Sequence, residues 1–272
     1  MTAKNVAALG FSRTRIELKE FFREREAVVF IFAFPVVMLL IFSSVFGSRP
    51  DFIEVRGQGI TAAQYYLTGM VATGVMQSSF QSLAISIAVE RDAGTLKLLR
   101  GTPMPPLAYF LGKIGQVVVV TVIQLVILLS IARLFFGVHL PGDPDRWLRL
   151  AWLVVIGAAA GTALGIAFSS LPKSGRSAAT VVTPVVIILQ FISGVYFTYS
   201  QLPTWMHAIA SVFPLKWMAQ GMRSVFLPAE MVQAEPGGSY QLGLGAVVLS
   251  AWLVVGLFLA TRTFRWVVEQ RG

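Results

Sequence analysis

The residues of this chain best suited to chemistry fall in one short run, VERDAGTLKLLRGTPMPP, Val89 to Pro106, which sets Glu90, Arg91, Asp92, Lys97 and Arg100 between two long apolar stretches. Carboxylates and guanidinium groups this close together serve either acid–base chemistry or recognition of another charged surface. The first use lacks partners. There is no cysteine, and the two histidines, His139 and His207, are far apart in sequence. A histidine or thiolate metal site, or a nucleophilic triad, therefore has little to build from, and no catalytic residue and no metal are expected. A GxxxxGK[ST] loop is absent too, so the chain does not bind nucleotide in the P-loop manner. Recognition remains. The run reads as a short helix closed by Gly101 and Pro103. Leu96, Leu98 and Leu99 form an apolar ridge on it, with Glu90, Arg91 and Asp92 at one end, Gly94 and Thr95 between, and Arg100 at the other end. A ridge framed by charge fits a partner's groove; leucines resting on lipid are the other reading that the residues leave open.

Other polar side chains sit inside apolar runs. Thr73, Gln77 and Gln81 recur every four residues, with Ser78 and Ser82 beside them, and make one polar helix face. Such a face avoids lipid and turns to a neighbouring helix, a dimer seam or a water-filled path. Gln116, Gln124, Thr183, Gln190 and Ser193 are its potential partners. In IGAAAGTALGIAF, Gly157, Gly161 and Gly165 share a face on which another backbone can come close, as helix packing within the chain or as a contact between chains.

The elements that must position these groups are set by composition. Of 272 residues, 56% are hydrophobic and 13% charged, which places the chain in a membrane. The apolar runs are continuous, so the spans are helices. Six are expected, at about Ala27 to Gly47, Tyr65 to Val89, Lys113 to Phe136, Arg149 to Leu171, Ala178 to Tyr199 and Leu242 to Thr261. The fold class is an all-α integral membrane protein. Residues 1–26 read as an N-terminal interfacial helix, with a solvated cap ahead of the first span as the other reading, and 27–272 as the transmembrane domain, the first span serving as its own targeting signal. With six spans, Lys and Arg concentrate on the side of both termini, among them Lys4, Arg13, Arg91, Lys173, Arg262, Arg265 and Arg271. The outer side keeps fewer, including Arg49, Arg56, Arg133, Arg146, Lys216 and Arg223, so the termini are placed in the cytoplasm.

The segment from Leu202 to Leu227, of intermediate hydropathy and broken by Pro214, reads as two short amphipathic helices in the outer interface, re-entrant or lying flat, with Trp205 and Trp217 at headgroup depth. A seal and a gate remain alternative roles for it. The formal charge of +9 is scattered between apolar runs, without a basic stripe or aromatic platforms, and excludes nucleic acid as a partner. No Asp, Glu or Lys lies deep in a predicted span and no matched pair of broken helices is visible, which removes the usual apparatus of ion-driven transport.

The pattern E-R-x-x-G-T-L, then L-x-x-x-P and a Lys at the start of the next span, resembles the cytoplasmic signature of the second family of ATP-binding-cassette export permeases. Daunorubicin-resistance, capsule and nodulation-factor exporters belong to that family. The matching residues are Glu90, Arg91, Gly94, Thr95, Leu96, Leu99, Pro103 and Lys113, and P-L-x-W-x-x-x-x-x-R from Pro214 to Arg223 extends the likeness. Where many relatives place Glu after G-T-L, this chain has Lys97.

The resemblance implies the permease subunit of an ATP-driven exporter in a bacterial cytoplasmic membrane. Two permease chains, identical or similar, would work with two ATPase subunits that bind ATP and Mg, and this chain would hold no cofactor. Glu90 to Pro103 would be the coupling helix in the ATPase cleft. Phe32, Phe34, Phe42, Gln190, Phe191 and Phe197, with Thr73, Gln77 and Gln81, would line the substrate path or the dimer seam. Trp205, Phe213, Pro214, Trp217 and Arg223 would form an outer gate. The implied cargo is a drug, antibiotic or lipid. A glycan or lipid-linked polysaccharide is the alternative, and a membrane anchor or sensor that does not transport is a second.

Overall fold

In a computed structural model, residues 3–47, 52–55, 57–102, 104–198 and 201–264 are described. Arg49, Arg56, Pro103, Tyr199, Arg265 and Arg271, and the side chains of Lys4 and Arg100, lie outside them.

The chain starts with α1 (Ala3–Arg23). Arg13, Glu17 and Phe21, four apart, are buried on one face, while Phe11 and Ile16 remain exposed. That face lies along α6 (Pro106–Phe136). Glycine permits the approach: a Cβ at Gly10 would lie 2.8 Å from Leu111 Cβ, and one at Gly112 would run into Arg13. The helix breaks at Glu24, and α2 (Arg25–Phe46) follows with Ile31, Pro35, Leu39 and Ser43 buried along one edge.

A two-stranded antiparallel hairpin, β1 (Ile53–Val55) and β2 (Gln58–Ile60), pairs Ile53 with Ile60. This short element departs from the helix-only expectation. Thr61 and Gln64 then close a capping box on α3 (Ala62–Met76). Every residue of α3 except Gln64 is buried, as suits a helix that is apolar on all sides. A π-helical turn, Gln77–Gln81, carries the run into α4 (Ser82–Asp92), with Ser82 N–H donating to the Gln77 carbonyl. The polar sequence QSSFQ thus sits where the backbone holds one residue more than an α-helix would.

Beyond α4 come α5 (Thr95–Arg100), α6, α7 (Pro144–Phe168) and α8 (Gly175–Ile192). Then follow α9 (Thr204–Val212), α10 (Pro214–Phe226), two 3-10 turns over 229–238 and α11 (Leu242–Thr263). Among the described residues, five helices are long and apolar enough to cross a membrane: α2, α6, α7, α8 and α11. The expected second span is divided into α3, the π turn and α4, none of which reaches that length alone.

The third expected span began at Lys113, but Pro105 and Pro106 start α6 two turns earlier and leave Lys113 inside it. The fifth was expected to reach Tyr199, yet α8 ends at Ile192, and turns around Gly194 (φ +72°) follow. A further helix placed the tract from Pro214 to Phe226 in the interior: all 13 residues of α10 are buried, against α3, α7 and α11. Of the two helices expected to be interfacial or re-entrant, α9 is exposed, with only Ala210 buried, whereas α10 does not lie flat but is a core helix.

The inside-out pattern of α6 marks the solvent. It buries Lys113, Gln116, Thr121 and Gln124 while exposing Ile114, Val118, Val122 and Val126. A helix that turns amides inward and valines outward is matched to lipid. Gly157, Gly161 and Gly165 of α7 pack within the chain: added Cβ atoms would meet Met218, Ser79 and the Phe80 carbonyl oxygen, the last at 2.8 Å.

Candidate functional site

The charged run opens as the last turn of α4. Its chain then reverses at Gly94, whose φ of +77° an L side chain would resist, and re-forms as α5. That backbone requirement accounts for the glycine in E-R-x-x-G-T-L. The three charges ahead of it each contact another part of this chain.

Lys113 Nζ donates to Glu17 Oε2 at 2.7 Å and pairs with Glu90, whose other oxygen accepts from Tyr109 Oη at 2.8 Å. Arg13 Nη2 sits 2.6 Å from Glu17 Oε1, an ion pair without hydrogen-bond alignment. The network joins α1, α4 and α6, with Lys113 and Glu17 almost fully buried. Burial is the larger influence on the Glu17 carboxyl and raises its pKa, against the pull of the Lys113 ammonium.

Arg91 reaches across to the chain between α7 and α8. Its guanidinium donates to the carbonyls of Ser169 at 2.7 Å and Pro172 at 2.6 Å. Asp92 Oδ2 accepts from the Gly175 backbone N–H at 3.0 Å, at the N-terminus of α8, where a carboxylate is favoured. Glu90, Arg91 and Asp92 are thus braces within this chain. The expected ridge is also smaller than three leucines: Leu96 is 1% exposed, Leu99 is half-buried, and Leu98, at 74%, stands out beside the exposed Lys97. Thr95 is half-buried at the start of α5.

Part of the polar face cross-links helices. Gln81 Nε2 donates to Thr183 Oγ1 (3.1 Å), Ser78 and Thr121 hydroxyls are 2.7 Å apart, and Gln124 Nε2 donates to the Ile31 carbonyl (2.8 Å). Thr73 and Gln77 are buried, each with an oxygen that has no partner among the described residues. Gln190 accepts from the Tyr196 hydroxyl.

The predicted lining phenylalanines divide into two groups. Phe32 packs beside α1, 6.1 Å from Phe21, and Phe34 stacks on Phe30 at 5.2 Å. Phe42 instead stacks on Tyr66 (4.6 Å) and Tyr196 (5.5 Å), and Tyr196 in turn touches Phe191, which neighbours Phe197. Phe191 and Phe197 are about half exposed.

At the other end, Trp205 is exposed and Phe213 stacks on Trp252 at 6.1 Å. Pro214 starts α10, and Trp217 Nε1 donates to the Ser211 carbonyl at 2.8 Å. Arg223 is buried in a two-pronged pair with Glu235, Nη2 lying 2.9 Å from Oε2.

Glu17 and Glu235 were not foreseen as functional or bracing residues. For Glu17 a signal existed: it lies midway between Arg13 and Phe21 on one face of α1, an acid in the stripe that must be buried. Glu235 lies between two 3-10 turns, just before Pro236, and offers no such pattern.

Residues 11–227 match the family described as ABC-2 type transporter. The chain is similar to a protein of Bacillus subtilis (strain 168) named as transport permease YvfS, 23% identical over 198 residues that cover 73% of this chain and 77% of that one. It is also similar to the inner membrane transport permease YadH of Escherichia coli (strain K12), 22% identical over 193 residues, 71% of this chain and 74% of that one. A multi-pass helical membrane body with inward-facing amides, joined to a match over most of its length, assigns the chain to the ABC-2 type transporter family as the membrane permease subunit of an ATP-binding-cassette transporter.

Proposed function

We propose that this permease moves an amphipathic substrate, a drug, antibiotic or lipid, outward across a bacterial cytoplasmic membrane. Two such chains, identical or similar, would act with two ATPase subunits that bind ATP and Mg. The six spans of this reading are α2, the composite of α3, the π turn and α4, then α6, α7, α8 and α11. Both termini are then cytoplasmic, and residues 1–26 precede the transmembrane domain 27–272 as an interfacial helix.

The observation that carries the reading is the way α5 is mounted. Its exposed residues, Lys97 and Leu98, stand on a turn whose Glu90, Arg91 and Asp92 are fastened to α6, to the α7–α8 connection and to α8. A push on α5 would thus reach several helices as one rigid displacement. ATPase subunits are the general partners of this family, and α5 is the coupling helix of this proposal.

Co-expression of the chain with a P-loop ATPase from a neighbouring reading frame tests it. Recovery of the two together, with hydrolysis in lipid stimulated by substrate, is the expected result. A permease that purifies alone and never stimulates hydrolysis would leave the anchor or sensor reading. Single cysteines at Lys97 and Ser239, both exposed positions, should label from inside and outside respectively. Labelling from one side would overturn the six-span topology. The half-exposed rings of Phe191 and Phe197, backed by Tyr196, favour one second reading, export of a glycan, because sugars stack on exposed aromatic faces.

A further inference from the structure

Between α1, α2, α4 and α6, beside the Lys113 network, lies a recess of about 210 Å³. Phe21, Phe30, Ile31, Ile85 and Val89 give it an apolar wall. Carboxylates dominate its polar wall. Glu17, Glu20, Glu24 and Glu90 all border it, and one carboxylate oxygen from each of Glu17, Glu20 and Glu90 lies within 4.8 Å of the others. Among the described residues, the single cationic side chain on the wall, Lys113, is already committed to Glu17 and Glu90. Glu20 and Glu24 form no ion pair among the described residues.

An independent observation points the same way. Gln81 and Gln116 line the recess, are 7% and 5% exposed, and each keeps a side-chain carbonyl oxygen with no partner among the described residues. Buried amide oxygens are costly to leave unpaired. Two of them beside an excess of carboxylates call for a ligand that brings positive charge and N–H donors.

We propose that this recess binds the ammonium group of a hydrophobic amine. Glu20 and its neighbouring carboxylates would supply the charge, and the amide oxygens of Gln81 and Gln116 the hydrogen-bond acceptors. The apolar body of the amine lies along Phe21, Phe30 and Ile85. A bare divalent cation fits less well, because it would have to displace the Lys113 ammonium and would leave the aromatic wall facing its own hydration shell. As a step in transport, the site rests on the export reading above; as a binding site it does not.

The test uses the full chain in phosphatidylcholine nanodiscs, titrated with a dansyl-labelled decylamine and with the matching neutral alcohol, against empty nanodiscs. Saturable binding of the amine but not of the alcohol is expected. Glu20→Gln should weaken the amine about tenfold and Gln116→Leu about threefold. Neither residue holds Lys113, so both variants should elute as the parent does.

Equal binding of amine and alcohol, or an amine affinity unchanged in both variants, overturns the proposal. So does displacement of the amine by micromolar Mg²⁺ or Ca²⁺, which would make the recess a metal site. Competition by phosphatidylethanolamine supports an ammonium site filled from the membrane, and binding indifferent to that lipid supports one filled by a free amine. Capture of the ATPase is scored on the same preparations. Amine binding lost with capture retained counts against the site alone; capture lost with amine binding retained counts against the exporter alone.

Discussion

The two ends of the molecule each bury an ion pair, and they do so over different spans of chain. At the α5 end, Lys113 holds Glu17 and Glu90, residues 96 and 23 positions away, so one ammonium fixes three helices. At the α10 end, Arg223 holds Glu235 only 12 positions on, closing a local loop over a core helix. A long-range brace makes its helices move together, whereas a short-range one pins a single turn and leaves the rest independent. The first arrangement suits an end that receives force, the second an end that must keep its shape.

The largest test of this contrast is Lys113→Met. It leaves Glu17 and Glu90 facing each other in a buried site, and should cost about 3–5 kcal/mol, read as a lowered midpoint in detergent thermal unfolding. Since burial already raises the Glu17 pKa, the deficit should shrink at lower pH, where a proton can replace the lost ammonium. Arg223→Leu should cost less, about 1–3 kcal/mol, because Glu235 lies in a short loop that can swing toward water. Equal losses in the two variants would erase the distinction.

Next in size is Trp217→Phe, which removes one hydrogen bond to the Ser211 carbonyl, about 1 kcal/mol, with binding of the ATPase unaffected. The smallest change in stability belongs to Leu98→Asp. At 74% exposure it should stay within about 0.5 kcal/mol of the parent, while recovery of the ATPase falls. Leu96→Asp, buried at 1%, should instead fail in folding. If the two leucine variants behave alike, α5 does not present one exposed edge.

Much of the frame is legible in the sequence because hydropathy over about 20 residues reports directly on a lipid-facing helix. The apolar runs over α2, α7 and α11 appear within a few residues of their ends. The start of α6 hides because Lys113 interrupts the apolar run, and proline at a helix start reads like a loop until the structure is seen.

Helix α10 was misread for a different reason. Lys216, Gln220, Arg223 and Ser224 look like a watered face by type and spacing. Gln220 nevertheless donates to the Ser239 carbonyl and Arg223 pairs with Glu235, so polarity is satisfied inside the protein. Single-residue hydropathy does not separate these cases. The same holds at the candidate site: the motif from Glu90 to Leu99 is visible by residue type, yet the pairing of Glu90 depends on Lys113, which also meets Glu17 across 96 residues.

Arg91 leaves a different trace in inheritance. Its guanidinium grips two carbonyl oxygens, at Ser169 and Pro172, and every amino acid supplies that atom. Descendants of this gene can therefore exchange both side chains freely while the grip persists, provided the chain keeps its path. A contact of this kind holds one position fixed with no second position changing in step, so pairwise comparison of related chains would pass over it.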